Sequence, residues 1–254
     1  MKENYIKKTK VSSLQKALNI LNCFTQKGTW GVTELSEYLG LNKSNVHSIL
    51  STFKDMEYVY QDPETGRYKL GMAIYTLSHA LGDDLIIGNI AMPYMQELSD
   101  LTGERVYLAI PHKDEVIYVN STYPQEAVYL MRTIMGERAK MYCTGLGKAI
   151  LAYLPEEQVK NYIDTVLEAY TEYTLTDPVK LMRDLALTRE RGYAIDNMEH
   201  EFGIKCVAMP IFNKQKNLEA AISISGPSLR FSCERIPELS AELKKQVNKI
   251  QERL

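Results

Sequence analysis

The sequence has no apolar run approaching the ~20 residues that a helix needs to cross a bilayer, so we expect no membrane span. Its N-terminus, MKENYIKKTK, is basic, but no apolar stretch follows it, and a secretory signal is not expected. Cysteine is scarce: Cys23, Cys143, Cys206 and Cys233 are widely spaced and form no CxxC pair. That spacing argues against a disulfide framework or a zinc finger and fits a reducing, cytoplasmic location. No low-complexity tract and no internal repeat appear. A strong charge of one sign is also missing, since the net charge is −2. The charge is unevenly spread, however. Residues 1–70 hold ten Lys and Arg against seven Asp and Glu, whereas residues 71–254 hold twenty against twenty-five. A basic front and an acidic remainder suit a chain whose front alone meets a polyanion, although a solvated charged face explains so modest a bias equally well.

What is present organises itself around residues 32–56, VTELSEYLGLNKSNVHSILSTFKDM. Leu35 and Leu39 recur at i, i+4, and Gly40 then supplies a bend, because it accepts positive φ at no steric cost. Asn42 suits the N-cap of a second helix, and Val46, Ile49, Leu50 and Phe53 give that helix its apolar stripe. Its other face carries Lys43, Ser44, Asn45, His47, Ser48, Ser51 and Thr52, with no acid before Asp55. A small, polar, partly basic helix can enter a DNA major groove, its first residues reaching base edges and phosphates. A pair of amphipathic helices in any α domain is the plainer explanation of the same pattern.

The flanking residues favour the first explanation. Residues 1–11 are polar and lysine-rich, a disordered stretch or an arm for phosphate. Ser12 or Ser13 can cap a helix whose apolar face is Leu14, Ala17, Leu18, Leu21 and Phe24. Thr33 is the expected N-cap of the next helix. After Met56 the period becomes alternating. Tyr58–Gln61 and Arg67–Leu70 read as strands joined by the turn residues Asp62-Pro63-Glu64-Thr65-Gly66. Arg67 and Lys69 share one face of the second strand, placed for phosphate contact or simply to keep an edge strand soluble. Three helices and a basic hairpin form a winged helix-turn-helix over residues 1–71.

A helical pattern over Gly71–Leu81 is broken by Gly82-Asp83-Asp84, which predicts a linker helix at 72–84 and a second domain at 85–254. In that domain a helix is expected from Ile86 to Leu101, with Pro93 as its start or a kink. Strands are expected at Arg105–Pro111, Glu115–Thr122, Val128–Ile134, Tyr193–Asp196, Cys206–Phe212 and Leu218–Ser225. Helices are expected from Thr144 to Tyr153, from Pro155, from Asp177-Pro178 to Arg191, and from Glu238 to Arg253. The fold class is α+β, with an α/β second domain.

The order of these parts resembles the IclR family of bacterial transcription regulators. The resemblance is carried by Cys143-Thr144-Gly145-Leu146-Gly147-Lys148-Ala149. It continues in Arg191-Gly192-Tyr193 with Asp196, Glu199, His200, Gly203 and Cys206, and in Ala220-Ala221-Ile222-Ser223-Ile224-Ser225-Gly226-Pro227. With the winged helix it spans nearly the whole chain. It implies a GAF-like effector domain for a small molecule, often an organic acid or aromatic catabolite, and homodimers or homotetramers on palindromic operator DNA. Where the family commonly has threonine this chain has Asn45, and where it commonly has arginine it has Ser48. These departures leave the operator sequence and affinity open, and Asn45 can pair with adenine. Positions that hold small acids in the family match Gly145, Leu146, Asp196, Cys206, Ser223 and Ser225. Leu146 is bulkier than the alanine of the glyoxylate-responsive type, which implies a different or smaller accessible ligand volume.

The chemistry of these residues fits an anion. Gly145-Leu146 begins a helix, and Ser223 and Ser225 point to one face of a strand. Asp196 can fix a ligand oxygen if it is protonated or bridged by water. Each residue also has a plain structural role available, as strand serine or small buried thiol. Arg132 and Arg138 flank the first block and could clamp an acid, but are more often surface ion-pair residues. A rival assignment makes Cys206, His200 and Asp196 a thiol nucleophile, base and orienter in a small-molecule enzyme with an N-terminal interaction module. With Cys143 the same trio could ligate zinc, although the spacing matches no standard zinc motif. His79 and His112 are expected in solvent. On balance we expect a cytoplasmic, ligand-responsive transcription regulator without catalytic residues, resident metal or cofactor. Its DNA contacts are expected from Lys43, Ser44, Asn45, His47, Ser48 and Arg67.

Overall fold

The computed structural model describes residues 11–82, 86–125 and 134–254. Its contacts divide the chain into two compact units, Met1–Asp84 and Leu85–Leu254.

The first unit contains α1 (Ser12–Cys23), α2 (Val32–Leu39), α3 (Lys43–Asp55), the antiparallel pair β1 (Val59–Gln61) and β2 (Tyr68–Leu70), and α4 (Met72–Gly82). Gly40 closes α2 at φ 64°, as the bend requires. Asn42 takes the N-cap position of α3 but makes no side-chain capping bond. The cap of α2 is Gly31 rather than Thr33, and the Gly31 N–H donates to Glu34 Oε2 at 3.2 Å. Trp30 forms an isolated antiparallel bridge with Tyr68 beside the wing, and its indole N–H donates to the Cys23 carbonyl.

The core of this unit joins Ile20, Cys23, Phe24, Trp30, Leu35, Val46, Leu50, Val59 and Tyr68. On α1 the expected face is met in part. Phe24 is buried and Leu21 packs against the core, but Leu14 and Leu18 are exposed, and the helix turns Ile20 and Cys23 inward. Trp30 and the wing supply the opposing surface, and a short amphipathic sequence does not reveal which side they occupy.

The second unit contains α5 (Ile86–Thr102), β3 (Arg105–His112), β4 (Glu115–Thr122), β5 (Arg138–Lys140), α6 (Gly145–Leu151), α7 (Glu156–Ile163), α8 (Pro178–Arg191), β6 (Ala194–Asn197), β7 (Ile204–Phe212), β8 (Leu218–Pro227) and α9 (Arg235–Gln251). Pro93 lies inside α5 and does not start it. The strand expected at Val128–Ile134 falls, up to residue 133, outside the described residues. The six strands form one antiparallel sheet in the order β5-β4-β3-β8-β7-β6. Alternation along β3, β7 and β8 gives it two apolar faces. Val106, Leu108, Val207, Ile222 and Ile224 pack with residues of α5 and α9. Tyr107, Ala109, Ala194, Ala208 and Ala221 pack with residues of α6, α7 and α8. Small alanines on the second face let a helix come close. Gly145 shows how close, since a Cβ there would lie 3.2 Å from Cys206 Cβ and 3.4 Å from Ala208 Cβ.

Candidate functional site

Two surfaces carry chemistry, one in each unit. On α3, Val46 and Leu50 are buried while Lys43, Ser44, Asn45, His47 and Ser48 are all exposed. The helix therefore presents the polar face that the periodicity assigned to solvent. Ser48 Oγ donates to the Ser44 carbonyl at 3.0 Å, so in the unbound chain that hydroxyl satisfies itself on its own helix.

The wing differs from expectation in one residue. Arg67, which alternation placed outward beside Lys69, bends its guanidinium onto Glu34 Oε2 at 2.7 Å and the Thr29 carbonyl at 3.0 Å. Lys27 also bonds Glu34. Contacts first from Lys27 and then from Arg67 hold the Glu34 carboxyl down at about 2. Arg67 thus ties the wing to α2. Lys69 stays exposed, its ammonium 4.9 Å from the Tyr60 ring centre.

In the second unit a cavity of about 530 Å³ opens between the sheet and the start of α6. Strand register explains its floor. Asp196 pairs with Cys206, Cys206 with Ser225, and Ser225 with Arg105. One rung on, Ala208 pairs with Ser223 and Ser223 with Tyr107. Rungs two residues apart face the same way, so Asp196, Cys206, Ser223 and Ser225 come to one surface. Gly145 and Leu146 form the facing lip. All six residues expected from the sequence line this one cavity.

The sequence reading missed Tyr107 and Tyr118, which also line the cavity and stack edge to face with ring centres 5.5 Å apart. They come together because β3 pairs with β4 across an irregularity at Leu108/Ala109, which no local pattern announces. Arg138 lines the cavity as well and lies 3.8 Å from Glu115, whereas Arg132 lies outside the described residues.

Below about pH 7 the floor is uncharged. Burial, reinforced by the nearby Glu199 carboxylate, raises the Asp196 carboxyl to about 7. Burial also raises the Cys206 thiol well above its ordinary value, and the thiol shares a 2.9 Å hydrogen bond with Ser225 Oγ. His200, lowered by burial, stands with Nδ1 3.7 Å from Cys143 Sγ and its ring 5.3 Å from Tyr170. Burial pushes the Cys143 thiol to about 12. The structure therefore joins His200 to Cys143 and Cys206 to Ser225, and both sulfurs are protonated thiols. That arrangement does not make the nucleophile, base and orienter of the enzyme reading. Among the described residues no group of three or more His, Cys, Asp or Glu is placed to hold a metal ion. No described helix is long and apolar enough to cross a membrane.

The lip of the cavity is built by close packing. Thr144 caps α6 by accepting the Gly147 N–H at 3.1 Å. A Cβ on Gly147 would fall 2.2 Å from the Met141 Cα, so the first turn can sit there only with glycine.

Comparison with known proteins assigns both units to one family. Residues 13–63 match the IclR helix-turn-helix domain, and residues 79–252 match the family model of the bacterial transcriptional regulator IclR C-terminal domain. The HTH-type transcriptional regulator KdgR of Escherichia coli K12 is 34% identical over 94% of this chain and 91% of its own length. The transcriptional repressor IclR of the same organism is 34% identical over 94% of this chain and 89% of its own. Among solved structures, the Thermotoga maritima IclR superposes with a TM-score of 0.79 and 31% identity, covering 95% of this chain and 98% of that one. These relatives are regulators, and the enzyme reading has no support among them.

Proposed function

The chain belongs to the IclR family of bacterial transcriptional regulators, with an N-terminal DNA-binding domain and a C-terminal ligand-binding domain, and from that premise we propose that a small organic acid in the 530 Å³ cavity sets its affinity for operator DNA. The observation that carries the effector reading is the alignment of Asp196, Cys206, Ser223 and Ser225 on one floor opposite Gly145 and Leu146. A protonated Asp196 and two serine hydroxyls offer donors to a carboxylate without an opposing charge, and the tyrosine pair offers an apolar wall to its carbon frame. Occupancy changes operator affinity only by as much as the acid binds the two conformational states unequally.

For DNA, the exposed residues Lys43, Ser44, Asn45, His47 and Ser48 of α3 are assigned to the major groove. Lys69 is assigned the wing phosphate contact, and Arg67 acts by bracing the wing against Glu34. The operator is palindromic and is bound by a homodimer, or a homotetramer of two such pairs, with recognition helices about 34 Å apart or a multiple of that. Support for self-association is the apolar surface left on the first unit: Leu14 and Leu18 on α1, and Met72, Tyr75 and Leu77 on α4. Such a regulator of a catabolic operon works in the cytoplasm.

The experiment selects duplexes from a randomised pool with the full chain, then titrates binding by gel shift with and without a panel of small carboxylic acids. We expect Lys43→Ala to lower affinity for all selected duplexes and to reduce the slope of log affinity against log salt by about 1. Asn45→Ala should relax the preference at one base pair, costing about 1–3 kcal/mol there. A panel that binds the cavity without altering operator affinity would sink the switching claim.

A further inference from the structure

Behind the cavity wall lies a buried charge cluster. Lys148 on α6 is 1% exposed, and its Nζ stands 2.5 Å from Glu199 Oε1 and 2.8 Å from Asp184 Oδ2 on α8. The other Asp184 oxygen is 3.6 Å from Arg191. Burial pushes the Lys148 ammonium down, but Glu199 and Asp184 outweigh it and keep the ammonium charged. Glu199 follows β6 in the loop three residues beyond Asp196. Its N–H donates to Asp196 Oδ1 at 2.8 Å, its Oε1 accepts the Asn197 N–H at 3.3 Å, and its carbonyl accepts the Thr174 hydroxyl at 2.6 Å. The strut therefore runs from the α6 lip of the cavity, through Lys148 and Glu199, to the Asp196 floor. Glu199 Oε2 is buried and has no hydrogen-bond partner among the described residues. A carboxylate retained only to neutralise Lys148 gains nothing from that bare oxygen, which costs stability.

We propose that Glu199 is a positioning residue for the effector cavity: its N–H aims the Asp196 carboxyl at the ligand, and its carboxylate, anchored by Lys148, sets the charge beside that carboxyl, which donates to a ligand oxygen. The inference rests on the reading of the cavity as an effector site. Two carboxyls three residues apart do not both ionise cheaply in a buried setting; burial raises the Glu199 carboxyl too, but Lys148 in contact with it opposes that rise, and the negative charge settles on Glu199 rather than Asp196. The titratable groups nearest Asp196 are Glu199 and His200 in its own loop, Lys148 on α6, Cys143 before α6, Cys206 on β7 and Tyr118 on β4, and Tyr107, Glu137, Arg138 and Glu201 line the same cavity. The two thiols, the phenol and the imidazole are neutral near pH 7, and Glu199 and Lys148 are the charges that act most strongly on Asp196. Of these two, Glu199 weighs more heavily on Asp196.

The test follows the Asp196 carboxyl itself. The full chain is labelled with ¹³C at aspartate carboxyls and titrated without ligand, and the resonance is assigned by its disappearance in Asp196→Asn. We expect a wild-type midpoint near 7. In Glu199→Gln the midpoint should fall by about 1 pH unit or more, while Glu199→Asp, which keeps the charge, should stay near wild type. Should Glu199→Gln unfold because Lys148 loses a partner, the double variant Lys148→Gln/Glu199→Gln removes both charges together. It too should titrate lower, because the weightier influence of Glu199 is lost. A midpoint that does not move in the neutral variants, or a wild-type Asp196 that titrates in the ordinary aspartate range, overturns the proposal. No ligand enters the measurement. A mistaken effector reading would instead appear as a blank acid panel with this titration unchanged.

Discussion

Asp196 carries a proton at pH values where a solvated aspartate has lost it, and that single property ties the stability of the second unit to pH. Its carboxyl is raised from 3.8 to about 7, first by burial and then by Glu199. Between those values the folded chain holds a proton that the unfolded chain has released, so stability falls as pH rises. The penalty is absent below about pH 4, grows through the interval and is complete above 7. Asp196→Asn removes it while keeping an oxygen to accept the Glu199 N–H. At pH 8 the variant should be more stable than wild type by roughly 2–4 kcal/mol, and at pH 4 by nothing measurable. Thermal melts of the full chain at both pH values check this, and equal gains at the two would refute it. Asp196, Cys206, Ser223 and Ser225 were legible in the sequence, through family resemblance and through the two-residue alternation of the serines. Tyr107 and Tyr118 were not, because they meet across a sheet register set by β3, β4 and β8 rather than by neighbours in the chain. The Arg67 side chain departs from the alternation for a related reason. Alternation gives the direction of a Cβ, whereas a long guanidinium arm goes where its carboxylate is, here on Glu34.

Among the elements, α6 shows how sequence spacing becomes a binding lip. The two glycines of Thr144-Gly145-Leu146-Gly147 face different neighbours. A methyl on Gly147 meets the Met141 backbone at 2.2 Å, and backbone cannot step aside. A methyl on Gly145 meets side-chain Cβ atoms at 3.2 Å or more, on Cys206, Ala208 and Asp196. Gly147→Ala should therefore destabilise the chain by about 3 kcal/mol or more, and Gly145→Ala by about 1 kcal/mol. Chemical denaturation of both variants reads the difference, and a reversed order would show that the first turn of α6 is not pressed on Met141. The existence of helices and strands was mostly legible at this scale, since 3.6- and 2-residue periods persist in α3, α8, α9, β3, β7 and β8. Which face a helix buries was less so. On α1 the choice between Leu14/Leu18 and Ile20/Cys23 depends on where Trp30 and the wing lie. The three-residue strand β5, Arg-Ala-Lys, carries too little alternation to be recognised and is held only by pairing with β4.

For the whole molecule the remaining question is why the first unit leaves so much apolar surface in water. Met72 is 68% exposed, Tyr75 65% and Leu77 54%, all on α4, while Leu14 and Leu18 on α1 are about half exposed. Scattered apolar side chains on a surface need no explanation, but this concentration on one short helix beside the DNA-binding elements does. A second copy of the chain is the proposed cover. On the proposed assignment a single α3 offers five polar contacts and few charges, too little for tight operator binding, whereas two copies joined before they meet DNA would bind the second half-site as an intramolecular event. Leu77→Glu places a charge where that contact would form and, being at an exposed position, leaves the monomer fold intact. Its mass by light scattering should drop toward that of one chain, its circular dichroism should match wild type, and its affinity for a palindromic duplex should fall by about 100-fold or more. Affinity for an isolated half-site should hardly change, because the residues proposed to face the groove are untouched. A variant that keeps the wild-type mass and palindrome affinity would mean that α4 does not join the copies and that the exposed leucine serves something else.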